Sequence, residues 1–346
     1  MNLARSRRAA RNPLKGWQLD PAAVRTIGHD LRRPECILAE RDGTLWSADA
    51  RGGVMRIDAA GRQSLIAPHV DGHFDLRGDA HRSLVSGTLP NGLAFAANGD
   101  FLIANFGTDR LERMTRNGDL HVVCDTLDGL PMGKVNFVLR DPWDRLWLTI
   151  STRVNPWTDA QRTGLADGYI ALLDERGLRI VADGFHFTNE IRFDARHEWL
   201  YVAETTAKRV TRLRVQPDGN LTDREIYGPD NLGAGLIDGI AFDSYGNLWA
   251  TMILADRLIA ITPDGELLEL FADGDASALA RFEREFASGE IVSSETLLAT
   301  GGQLCRWMAS VTFGGPELRT VYLGGLRSTT IPSFPVPVSG LPMVHW

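Results

Sequence analysis

Cysteine is scarce in this 346-residue chain: Cys36, Cys124 and Cys305 are odd in number, far apart and never in a CxxC pair. That excludes a disulfide framework, a cysteine zinc site and a thiol-exchange motif, and leaves three inert thiols. Long apolar runs are missing too, since no window approaches the ~18 consecutive apolar residues of a spanning helix. The basic opening MNLARSRRAARNPLKGW lacks the apolar stretch that follows the charges of a secretory leader, so the expectation is a cytoplasmic protein with a basic tail over residues 1–25. Positive charge is in deficit. Lys plus Arg number 37 against 44 Asp plus Glu, a formal charge of -7, which argues against nucleic-acid partners, as the missing span argues against a membrane. No GxGxxG or GxxxxGK[ST] run points to a dinucleotide or P-loop site, and no GxSxG elbow supports a serine hydrolase.

What the chain has is enough apolar residue, 44%, to bury one large core, together with a repeated pattern. Six segments begin with a small polar or acidic residue, run through an apolar stretch, turn, and reach an aromatic or aliphatic residue in a second apolar run. They are ECILAERDGTLWSAD, NGLAFAANGDFLIAN, NFVLRDPWDRLWLTI, NEIRFDARHEWLYVAE, DGIAFDSYGNLWATM and SVTFGGPELRTVYLGG. Their first residues are Glu35, Asn91, Asn136, Asn189, Asp238 and Ser310; the second-run markers Trp46, Leu102, Trp147, Tyr201, Trp249 and Tyr322 follow 11 or 12 residues later. Starting residues lie 56, 45, 53, 49 and 72 apart, near the ~40–50 residues of one four-stranded propeller blade. The expected fold is therefore all-β, a six-bladed β-propeller over residues 26–346, because a closed ring lets neighbouring blades cover each other's faces. The long last interval holds residues 273–300, whose Ala, Leu, Phe and Glu content predicts a short helical insertion before the last blade, either packing outside the ring or forming a lid. The Pro-rich but apolar tail from Gly324 is expected to pack on a blade.

Equivalent positions of rotationally related blades sit at one height around the axis, so the starting residues form a ring. Glu35, Asn136, Asn189 and Asp238 offer hard oxygen donors from four blades, with no Cys or His, which suits a divalent cation such as calcium. The plainer alternative is that Asn91-Gly92 and Asp238-Gly239 form turns. Glu35 and Asn189, neither followed by glycine, weaken it.

RPECILAERDGTLWSAD, LPNGLAFAANGDFLIANFG, FTNEIRFDARHEWLYVAET, IDGIAFDSYGNLWAT and ASVTFGGPELRTVYLGG together resemble the calcium-propeller superfamily of gluconolactonase, senescence marker protein and the luciferin-regenerating enzyme. The resemblance spans roughly residues 30–346, with strictosidine-synthase-like proteins as distant relatives. It implies one metal at the bottom of a central pocket, held by Glu35, Asn136, Asn189 and Asp238. Calcium is the first choice, with iron, manganese, magnesium or zinc as alternatives. It also places Asn91 in the pocket lining. Phe137 stands where relatives commonly have Asp, and Glu190 where they usually have Gly; both are counted as candidate substrate contacts. Ile150 replaces another frequent acid, and Ser151-Thr152-Arg153 resembles strictosidine-synthase-like members. These departures imply a substrate more apolar than a sugar lactone.

The chemistry the resemblance implies is opening of a small-molecule lactone or ester, the cation polarising the carbonyl and Asp238 acting as general base or as nucleophile. His73 and His186, each followed by Phe, lead toward the second and fourth starting residues and are candidate pocket residues, against the blander role of loop histidines. Trp157 and Phe106 are read as blade core. Two other readings stay open: the same pocket used for phosphotriesterase, lyase or strictosidine-synthase-like chemistry, and a non-catalytic binding propeller. A monomer or a dimer is equally compatible with the sequence.

Overall fold

The computed structural model describes residues 11–68 and 87–346. Six four-stranded antiparallel sheets stand around an axis. Their innermost strands are Ile37–Ala39, Pro90–Phe95, Val135–Arg140, Thr188–Phe193, Leu236–Phe242 and Met308–Gly314. Each is followed outward by three further strands, except that the last blade takes its outermost strand, Arg25–Ile27, from the beginning of the fold. Arg25 pairs with Ser333 and Ile27 with Ile331, so the last blade joins both ends of the fold through backbone hydrogen bonds and closes the ring.

The even spacing of the sequence markers has a local cause. Trp46, Leu102, Trp147 and Trp249 sit on second strands directly across from Leu38, Ala94, Leu139 and Ala241, so each hairpin has the same length. In the third and fifth blades an acid just past the inner strand locks that hairpin. Asp141 accepts from Trp147 Nε1 at 2.9 Å and from the turn amides of Trp143 and Arg145; Asp243 accepts from Trp249 Nε1 at 2.9 Å and from Tyr245, Gly246 and Asn247. All six marker side chains are buried between blades.

Residues 11–24, expected as part of a loose basic tail, pack on the ring instead. Leu14 and Leu19 are buried with the last two blades, Trp17 stacks at 6.5 Å on Phe334, and Asn12 donates to Asn247 Oδ1. The apolar side chains of that segment explain its docking, which its charges concealed. The insertion contains two helices, Ala276–Ala287 and Ser294–Ala299, capped by Asp275 and Ser293. Phe282 and Phe286 of the first are buried against Leu236, Ile253, Leu254 and Trp307. Residues 341–346 cross the far end of the axis, where Leu341 N donates to Phe242 O and His345 Nε2 lies 3.1 Å from Ala39 O. Among the described residues no helix is long and apolar enough to cross a membrane.

Candidate functional site

The ring residues owe their aim to bulges. Register shifts between Pro90 and Leu93, Val135 and Phe137, Thr188 and Ile191, and Ile237 and Ile240 put Asn91, Asn136, Asn189 and Asp238 on irregular positions of four inner strands. A bulge re-aims a side chain out of the regular alternation, here toward the axis. In the last blade the shift falls between Met308 and Ser310, so Ala309 occupies this position. Ser310, the sixth starting residue of the sequence pattern, instead bonds through its hydroxyl to the Glu35 carbonyl. The two glycines that suggested turns have another purpose. A Cβ on Gly92 would lie 2.6 Å from Phe137 Cα, and one on Gly239 would lie 2.5 Å from Ala309 O, so both allow neighbouring inner strands to approach.

Glu35, Asn91, Asn136, Asn189 and Asp238 all line one chamber of about 680 Å³ at the end of the axis where the inner strands begin. Each is at least nine-tenths buried. The Asn189 amide nitrogen donates to Thr205 Oγ1 at 3.1 Å, and that of Asn91 donates to the Asn136 carbonyl at 3.1 Å and to Asn136 Oδ1 at 3.3 Å. With their NH2 groups so used, Asn189 Oδ1 and Asn91 Oδ1 are left without partners, as is Asp238 Oδ1. Glu35 Oε2 forms an ion pair with Arg33 Nη1 at 2.8 Å and accepts no hydrogen bond. Burial raises the Asp238 carboxyl well above the usual range, reinforced by the negative charge of Glu35. Burial raises Glu35 as well, against the pull of Arg33. Buried oxygen atoms from separate blades that lack a protein partner suit a hard divalent cation, and their crowding of negative charge is what such an ion would relieve. Among the described residues no three His, Cys, Asp or Glu side chains gather as a metal group, so a cation here would need amide oxygens as well as the two carboxylates.

Three expected pocket residues lie elsewhere. Phe137 points toward a second cavity of about 320 Å³ at the opposite end of the inner strands, where Arg192 sits 4.6 Å over its ring. Period-two alternation explains this: the residue after a chamber-facing position faces away. Glu190 is buried between the two cavities, paired with Arg192 Nη2 at 2.8 Å and accepting from Ile240 N, with its carboxyl pushed up to about 7 by burial. His186 does not line the chamber; its amide donates to Glu204 Oε2. The next residue, Phe187, has φ of 56° and enters the chamber instead. His73 lies outside the described residues.

Sequence reasoning missed Arg33, the Lys134 to Asp109 ion pair at 2.8 Å, and the walls. Phe106 and Trp157, read as blade core, pack edge to face at 5.1 Å and border the chamber, as do Ile291, Val292, Leu297 and Leu298 of the insertion. Arg33 was legible as an arginine two residues before the ring glutamate. The insertion's wall depends on how its helices fold back, which no local pattern carries.

The structure is a six-bladed propeller with a bulged ring of buried oxygens at the floor of its chamber. The comparisons agree, and the chain belongs to the SMP-30/gluconolactonase/LRE-like family, whose model matches residues 33–273. A 6-deoxy-6-sulfogluconolactonase of Pseudomonas putida is 26% identical over 189 residues, 54% of this chain and 52% of the relative, so the chain matches about half of that protein's length. Among solved structures, a gluconolactonase of Xanthomonas campestris superposes with a TM-score of 0.63 at 19% identity, covering 93% of this chain and 94% of that one. A calcium-binding regucalcin of Agrobacterium tumefaciens also gives 0.63, at 15% identity, covering 92% and 96%. At these identities the structures speak for the fold.

Proposed function

We propose that the protein is a metal-dependent hydrolase that opens a lactone or related ester at the chamber floor. The observation that carries this reading is the set of unpartnered buried oxygens of Asn91, Asn189 and Asp238 beside Glu35. Family membership and the lactonase relative support the reaction class. Glu35, Asn136, Asn189 and Asp238 would hold the ion, with calcium best suited to an all-oxygen set. When bound, it supplies polarisation of the substrate carbonyl and stabilisation of the oxyanion that develops there.

The residues themselves do the rest. Arg33 holds the Glu35 carboxylate in place and favours its charged form against the burial that raises it. Thr205 fixes the Asn189 amide with its oxygen inward, and Asn136 anchors Asn91 in the same way. Asp238 takes a proton from the attacking water; the water oxygen bonds to the acyl carbon, the carbon to ring-oxygen bond breaks, and the proton passes to the departing alkoxide.

Elemental analysis followed by chelation and metal rescue of lactone hydrolysis tests the reading. One stoichiometric divalent ion, with activity lost on chelation and restored by metal, is expected. Metal-free protein that hydrolyses no lactone or ester overturns it.

A further inference from the structure

Above its polar floor the chamber has two facing apolar walls. One is aromatic: Phe106, Trp157 and Phe187, from three different loops, with Trp157 5.1 Å from Phe106 and 6.3 Å from Phe187. The other is aliphatic and comes from the insertion, where Leu297 and Leu298 are half-buried and Ile291 is exposed. The insertion is fastened in this position. Arg327 Nη1 donates to Leu298 O at 2.6 Å, and Glu285 of the first helix accepts from Ser293 at the start of the second. Its carboxyl is held down to about 2 by the hydroxyl of Thr296 and these neighbours, so the clasp stays charged across the physiological range. Beyond the floor the polar lining is Asn155, Thr158 and Gln161 of one loop, the Lys134 to Asp109 pair and Ser294, so a polyhydroxylated ring would find partners beside these groups and none against Trp157, Phe187, Leu297 or Leu298. Every hydroxyl turned toward the walls would give up water without a replacement, whereas an alkyl or aryl group there gains burial.

We infer that the substrate is a lactone or ester carrying an alkyl or aromatic substituent, seated between Trp157 and Leu297 with its carbonyl on the floor. This rests on the hydrolase reading for the reaction but on the walls for the substituent. Trp157 and Leu297 are then specificity-determining residues.

The test has two arms. In the first, metal-loaded protein is given δ-lactones of equal ring size that are unsubstituted, alkyl-substituted or polyhydroxylated. The expected kcat/KM rises about tenfold or more from the unsubstituted to a hexyl-substituted ring, and Leu297→Ser lowers that ratio severalfold. In the second, binding of the matching lactams, which resist hydrolysis, is followed by tryptophan fluorescence. The alkyl lactam is expected to bind at least tenfold more tightly than the hydroxylated one, a readout that needs no variant to fold. Lactones hydrolysed with equal or better efficiency when polyhydroxylated overturn the inference and leave the hydrolase reading standing. Alkyl-selective lactam binding without turnover of any lactone or ester supports the inference and removes the hydrolase reading. Neither hydrolysis nor selective binding overturns both.

Discussion

Arg33 and Glu35, two residues apart in the chain, face each other at 2.8 Å on the chamber floor with both side chains 7% exposed. An arginine inside a cation-type oxygen cluster gives the floor a fixed positive group of its own, and Arg33 sustains it with φ of 54°, in the left-handed region.

Breaking this pair strands a buried charge. Arg33→Met is expected to cost the chelated protein about 3 kcal/mol, near 4 °C in Tm for a chain of this length. The double variant Arg33→Met/Glu35→Gln should recover most of the loss. Additive losses in the double-mutant cycle would show that the two groups are not coupled.

Asp238→Asn keeps the shape of the side chain and removes the base. Turnover should fall by about 10³-fold or more. In chelator its Tm should match or exceed that of the parent, because Glu35 no longer crowds a second carboxylate. Retained turnover would end the assignment of Asp238, and a collapsed fold would move it to a structural role.

Gly239→Ala tests whether the glycine serves strand approach or a turn. A Cβ meeting Ala309 O at 2.5 Å should cost about 2 kcal/mol or more, read as a lower urea midpoint with unchanged slope. A neutral substitution would restore the turn explanation.

The thiols should be silent in the native protein. Burial pushes Cys36 and Cys305 up to about 12 and Cys124 up to about 11. A raised thiol favours the protonated, unreactive form, so at pH 8 no more than about one Cys124 in a thousand is thiolate. A colorimetric thiol reagent should find no fast-reacting cysteine until denaturant returns all three to ordinary values.

Leu14→Ala probes the docked segment before the first blade. Leu14 is 1% exposed, and its truncation should cost about 2–5 kcal/mol if residues 11–24 are integral to the ring. A wild-type Tm would mean the segment contributes nothing.

The blade repeat was readable because four of the six inner hairpins share one length and, at Asp141 and Asp243, the same acid-to-tryptophan lock. Glu35, Asn91, Asn136, Asn189 and Asp238 were readable because one position per blade meets at the axis. Phe137, Glu190 and His186 misled because adjacency in sequence means opposite faces in a strand, and a bulge or a left-handed residue at Phe187 decides which neighbour turns inward. In the sixth segment the repeated pattern begins at Ser310, while the bulge falls at Ala309. The chamber walls were hidden for a different reason: they join residues more than a hundred positions apart, through helices whose partners lie in other blades.

Residues 341–346 and the buried Glu190 to Arg192 pair make the axis a well rather than a pipe. Among the described residues the ring oxygens then lie at the opposite end of the axis from residues 341–346, beside Phe106 and Trp157. Anything attached near Trp346 would therefore stand at the end of the axis away from the ring oxygens and leave their chamber unobstructed.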